Sequence, residues 1–153
     1  MDDTSNATRN LPPSREPSAA LRRLDRLVGT WAMSGDVGGT VTYEWMEGGF
    51  FLIQRVDLQQ QNGQRTTGIE IIGHLHPYEE EPSADIWSRY YSGSGETLDY
   101  VYELEGDTLM IWFGGRGSPA YYQGTLGPDD KTLTGAWQYP GGGGYEANAT
   151  RIG

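Results

Sequence analysis

The chain contains no cysteine. Disulfides, thiolate catalysis and cysteine-ligated zinc or iron–sulfur sites are thereby excluded together. Cations are scarce: 11 Lys and Arg stand against 21 Asp and Glu, a formal net charge of -10. Such a balance speaks against nucleic acid, whose binding rests mainly on neutralising phosphates, and against an anionic membrane surface. It favours a soluble protein and is silent about a neutral or cationic ligand held in a pocket. Histidine occurs only at His74 and His76. Long hydrophobic runs are missing too: nothing approaches a membrane span, and no apolar run precedes Leu21 behind the polar start Met1-Asp2-Asp3. The expected location is the cytoplasm.

What is present is a chain of 153 residues, enough for a single domain with a proper core. Residues 1–17 are rich in Asp, Ser, Asn, Arg and Pro, and Leu11 is nearly the only large apolar group there. Burial cannot offset the ordering entropy of such a segment, so 1–17 is expected to be a flexible arm and 18–153 a barrel domain. Ser18 stands where a helix N-cap belongs, and Leu21, Leu24, Leu27 and Val28 follow at helical spacing before Gly29, which should end the helix. One apolar stripe suits a lid over a barrel end.

Strand signals then run almost without interruption, at 30–34, 40–46, 50–58, 66–76, 85–91, 97–105, 108–113, 119–126, 132–139 and 145–151. Many short strands at regular spacing, separated by glycine-rich turns, indicate an all-β sandwich or barrel. We expect a roughly ten-stranded antiparallel up-and-down β-barrel with a short N-terminal capping helix.

Tight turns set the register. A two-residue loop at Gly48-Gly49 pairs Trp45 with Leu52, Tyr43 with Gln54 and Val41 with Val56, and turns that set inward. The turn at Gly106-Asp107 pairs Leu104 with Leu109, Tyr102 with Ile111 and Tyr100 with Phe113, an inner wall fit for a core or an apolar cavity. Across the loop from Pro140 to Gly144, Trp137 should face Ala147 and Gly135 should face Ala149, with Leu133, Tyr139, Tyr145 and Arg151 also inward. Two strands stay open. In 66–76 either the Glu70, Ile72, His74 set or the Ile69, Ile71, Gly73 set is inner, and in 85–91 the inner set is either Ile86, Ser88, Tyr90 or Trp87, Arg89, Tyr91.

Gly29-Thr30-Trp31 after a short helix, with the late Arg151 on the last strand, resembles the lipocalin and calycin pattern. The resemblance implies that Trp31 packs at the closed end of the barrel with Arg151 lying across it. The stretches VTYEWMEGGFFLIQ, GIEIIGH, YVYELEGDTLMIW, GSPAYYQGTL and LTGAWQYPGGGGYE resemble a bacterial domain-of-unknown-function family of lipocalin-like barrels. That likeness covers nearly the whole chain after Leu21 and carries no chemistry to transfer. The sequence departs from secreted lipocalins in lacking cysteines and a signal peptide. It departs from haem-binding nitrobindin-like barrels in having no histidine after His76, and no cofactor is expected.

Candidate chemistry is sparse. His74, His76 and Glu70 share a strand, but three ligands on one strand make poor tetrahedral geometry, so no metal is expected. Glu70 with His74, or Glu70 with Arg89, are the candidate acid–base groups. Four residues along a strand separate side chains by about 13 Å, too far for direct proton relay though not for flanking a ligand. The Gly-rich runs at 114–117 and 141–144 open no helix and lack an anion-cradling mechanism.

Aromatic residues are abundant, with 5 Trp, 10 Tyr and 3 Phe. Tyr43, Trp45, Gln54, Tyr100, Tyr102 and Trp137 are the candidate ligand-binding residues: aromatic walls with a few polar handles characterise small-molecule sites. The sequence thus supports an intracellular binding barrel for a small hydrophobic or aromatic molecule, with self-association into a homo-oligomer left open. Two alternatives stand beside it. One is a small barrel enzyme (a cyclase, isomerase or hydrolase of a hydrophobic metabolite), and the other is a filled structural barrel.

Overall fold

A computed structural model describes residues 15–153; residues 1–14, and with them most of the expected arm at 1–17, lie outside the described residues. Ten strands close into a barrel in which sequence neighbours pair antiparallel throughout and β1 closes on β10. They are β1 Gly29–Gly35, β2 Val37–Trp45, β3 Leu52–Gln60, β4 Arg65–His74 and β5 Ile86–Ser92, followed by β6 Thr97–Glu105, β7 Thr108–Phe113, β8 Tyr121–Leu126, β9 Thr132–Gln138 and β10 Tyr145–Arg151. Because the strands alternate in direction, one barrel end carries the start of β1 and the end of β10, and the other carries the β1–β2, β3–β4, β5–β6, β7–β8 and β9–β10 turns. Among the described residues no helix is long and apolar enough to cross a membrane.

The terminal end is plugged. Ser18 Oγ accepts the Leu21 N–H at 3.0 Å and starts α1 (Ala19–Arg22), which runs into a 3₁₀ turn at Arg23–Leu27. One helical turn has no stability of its own. It is held by Leu21, Leu24 and Leu27, all fully buried in one core with Leu52, Ile72, Ile86, Leu104 and Leu126. Each such leucine is worth roughly 1.5–3 kcal/mol of burial. Arg26 ties the plug to the strands, reaching Asp130 at 2.7 Å, Asp107 at 2.9 Å and the Gly106 carbonyl at 2.8 Å.

Several expectations need correction here. The helix ends at Leu27, and Gly29 opens β1 with φ +130°, where an added Cβ would lie 2.5 Å from Arg151 Nη1. Close packing of the last strand, not helix termination, is what requires glycine there. Four residues, 47–50, lie inside the Met46 N–H to Phe51 carbonyl bond at 2.8 Å that closes the β2–β3 connection. Lengthening the loop by one residue on each side left the register of Tyr43 with Gln54 and Trp45 with Leu52 intact. In the last hairpin Trp137 pairs with Tyr145, two residues from the expected Ala147. An even slip preserves the faces. β4 ends at His74, so His76 lies beyond the sheet and is exposed.

The two open faces resolve: Glu70, Ile72, Ser88 and Ile86 are buried inward, whereas Arg89 points outward in a two-pronged pair with Asp99 at 2.7 and 3.0 Å. Val101, on the opposite face of β6 from Tyr100 and Tyr102, is nonetheless fully buried. It is registered between Trp87 and Trp112, and the Arg116 guanidinium covers the Trp112 ring at 4.8 Å.

Candidate functional site: an interior cavity

Above the plug the barrel is not filled. A cavity of about 240 Å³ rests on Leu27 and Trp31 and extends toward the loop end, where Gln60, Thr66, Tyr90 and Tyr145 border it. Its lining is mixed. Val41, Val56, Leu58, Ile111, Leu133 and Ala147 supply apolar surface. The pleat also brings a polar row inward across four neighbouring strands, because Tyr43 registers with Gln54, Gln54 with Glu70, and Glu70 with Tyr90.

Within that row Gln54 Nε2 donates to the Tyr43 hydroxyl at 2.7 Å. Glu70 is only 5% exposed, and its Oε2 accepts from Ser88 Oγ at 2.5 Å. Burial pushes the Glu70 carboxyl up from 4.5 to about 7, against the opposing pull of the Ser88 and Tyr102 hydroxyls on the ionised form. Tyr43, Tyr100 and Tyr102 are likewise raised, first by burial and then by the nearby Glu70. Among the described residues no Lys, Arg or His lines the cavity, and no group of three or more His, Asp or Glu is placed to hold a metal ion.

Aromatic rings continue from the cavity to the rim. Trp137 meets Tyr122 at 5.6 Å and Tyr100 at 5.8 Å between ring centroids, and stacks on Tyr139 at 6.2 Å. Tyr122 is anchored by its hydroxyl, which donates to the Ala147 carbonyl at 2.9 Å. Tyr90 lies against the backbone of β4 because Gly68 has no side chain: an added Cβ would sit 2.4 Å from the Tyr90 hydroxyl. Phe113, expected inward, is 44% exposed at the rim, edge-on to Tyr100.

Of the residues singled out from sequence, Tyr43, Gln54, Tyr100, Tyr102 and Trp137 line the cavity, as does Glu70. Trp45 does not. It sits at the plugged end, its indole N–H donating to Asp25 Oδ1 at 2.8 Å. His74 is also at that end, with Nε2 2.8 Å from Ser18 Oγ and Nδ1 2.7 Å from the Ser83 carbonyl. A carbonyl can only accept, so Nδ1 carries a proton and donates it to Ser83. His74 thus braces the N-cap and lies outside the interior cavity. Arg89 is on the outer surface, and neither proposed partner of Glu70 reaches it.

Ser88 and Tyr90 were missed as site residues because the face of β5 was open. The Arg89–Asp99 pairing would have shown it: two opposite charges directly across adjacent strands belong outside, which turns Ser88 and Tyr90 inward. Trp31 forms the floor, its N–H donating to the Leu27 carbonyl at 2.8 Å, with Arg151 across its face at 4.3 Å. Chemically the arrangement offers apolar volume and one carboxyl that either donates as an acid or accepts as an anion near neutral pH. The chain matches no protein-family model and no curated protein.

Proposed function

We propose that the barrel is a binding module, acting inside the cell, for a small and largely apolar or aromatic molecule. The carrying observation is the 240 Å³ cavity, lined largely by apolar and aromatic side chains and crossed by the Tyr43–Gln54–Glu70 row. A cavity of about 150 Å³ accommodates benzene, so this one has room for one to two rings. An aromatic wall with a few converging polar groups is the usual make-up of a ligand site. The lipocalin-like resemblance agrees with a ligand in the barrel interior. The filled-barrel alternative is weakened by the same open volume.

The enzyme reading keeps one support, the Glu70 carboxyl held near 7 inside a cavity, where general acid–base groups are useful. It has lost His74 and Arg89 as partners, and the groups left beside Glu70 are hydroxyls, so binding is the simpler account.

Trp31 and Trp137 line the cavity and report on it. One- and two-ring compounds carrying a quenching nitro group should reduce tryptophan emission with saturation, and an excess of a non-quenching analogue should restore it. Quenching that stays linear in concentration for every compound, with no competition, would mean collision from solvent and would refute the proposal.

A further inference from the structure

Resting on that binding role, we infer that the ligand is an organic cation, an amine or quaternary ammonium on an apolar or aromatic body, whose positive group is received by Glu70. The reason is an imbalance inside the barrel. Glu70 is 5% exposed and projects into the cavity, yet its only close partners are hydroxyls. The other titratable groups facing the cavity are tyrosines: Tyr43 from β2, Tyr90 from β5, Tyr100 and Tyr102 from β6, Tyr122 from β8 and Tyr145 from β10. No cation from any of these strands balances the acid. A buried carboxyl without a counter-charge costs stability, and a packed core would have an apolar residue there.

A cationic ligand supplies the missing charge and is itself desolvated among tyrosine faces, which attract cations through their ring quadrupole. The opposite class is disfavoured. A fatty or aromatic carboxylate would meet a second acid and no Lys, Arg or His, so like-charge repulsion would add to its desolvation. A neutral ligand would take a hydrogen bond from protonated Glu70, but it would leave the acid uncompensated once ionised. Nor is a proton source needed: the amine enters protonated, and the proton displaced from Glu70 passes to solvent.

Calorimetric titration of the full chain with phenethylamine, 2-phenylethanol and 3-phenylpropanoate separates these classes at nearly constant shape. At pH 8 the amine should bind about tenfold or more tightly than the alcohol, as charge-assisted pairing predicts, and the carboxylate weakest of all. Glu70→Gln should abolish the amine's preference over the alcohol, so that the two bind with similar affinity. In the unaltered protein the amine's affinity should rise about tenfold between about pH 6 and 8, because Glu70 must be ionised to receive it and its carboxyl titrates at about 7. That pH profile decides the matter even if the variant fails to fold. If the alcohol binds as well as the amine, or the preference survives Glu70→Gln, the inference falls while binding by the barrel stands. If none of the three binds, the inference falls as well, and the nitro-aromatic series alone judges the broader proposal.

Discussion

Arg151 lies flat over Trp31, its guanidinium carbon 4.3 Å from the ring centroid, and joins the last strand to the floor of the cavity. The guanidinium also donates to backbone carbonyls: Nε to Asp130 at 2.9 Å, Nη2 to Arg26 at 2.5 Å, and Nη1 to Val28. Plug, barrel seam and cavity floor therefore share one side chain. Arg151→Ala should lower stability by about 2–4 kcal/mol, since a desolvated cation–π contact and several charge-assisted hydrogen bonds are lost together. Arg151→Lys should recover little, because an ammonium cannot present the planar fork these carbonyls use. Denaturant unfolding of the two variants measures both effects, and equal stability of Lys and Arg forms would disprove the role of the fork.

Glu70 makes stability depend on pH in an unusual direction. Its carboxyl releases its proton at about 7 in the fold, against an ordinary value of 4.5. Between those values the folded state holds a proton that the unfolded state has released. Stability contributed by this group is therefore present at low pH and declines as pH rises through that window, by about 2–4 kcal/mol. Ion-paired Asp57, Asp99 and Asp130 are shifted down and act in the opposite sense, so the comparison must be with a variant. Relative to the unaltered protein, Glu70→Gln should gain stability on going from pH 5 to pH 8. A difference that stays constant over that range would show that Glu70 is an ordinary carboxylate.

Ser18 serves two partners, the Leu21 N–H and His74. Ser18→Ala should cost about 1–2 kcal/mol, a typical N-cap loss. His74→Ala in that background should cost less than it does alone, since the shared bond is already gone. Strict additivity in the double-mutant cycle would show that the two act separately.

Gln54→Leu keeps nearly the same volume but removes the donor to the Tyr43 hydroxyl. It should cost about 1–2 kcal/mol, because a buried hydroxyl loses its partner, and Tyr43→Phe on top of it should recover part of the loss. The barrel should stay folded while orientation-dependent ligand binding weakens. Thermal unfolding and a ligand titration of the single and double variants together decide this.

Much of the architecture was readable because hairpin turns carry register. Tyr102 with Ile111, and Tyr43 with Gln54, followed from turn residues, and even a two-residue error at Trp137 left the faces unchanged. Between β4 and β5 this logic fails, since the eleven-residue connection 75–85 carries no parity information. Glu70, the group on which the site's chemistry turns, sits beside that break. Trp45 shows a second limit. Alternation says which face a side chain occupies but not how deep it lies along the barrel axis, and Trp45 is inward yet beneath the plug. Depth depends on how far α1 and its 3₁₀ turn enter the barrel, which is decided by three leucines packing against strands distant in sequence.

Uptake of a small molecule into the barrel interior can be seen residue by residue in methyl-resolved NMR with phenethylamine as the probe. Saturable shifts should fall on the methyls of Val41, Val56, Leu58, Ile111, Ala147 and Ala149, which line the cavity. Ile53, Ile69 and Ile152, outside it, should stay still. Shifts confined to outer-surface methyls, or none up to millimolar probe for this compound and the nitro-aromatic series, would contradict it.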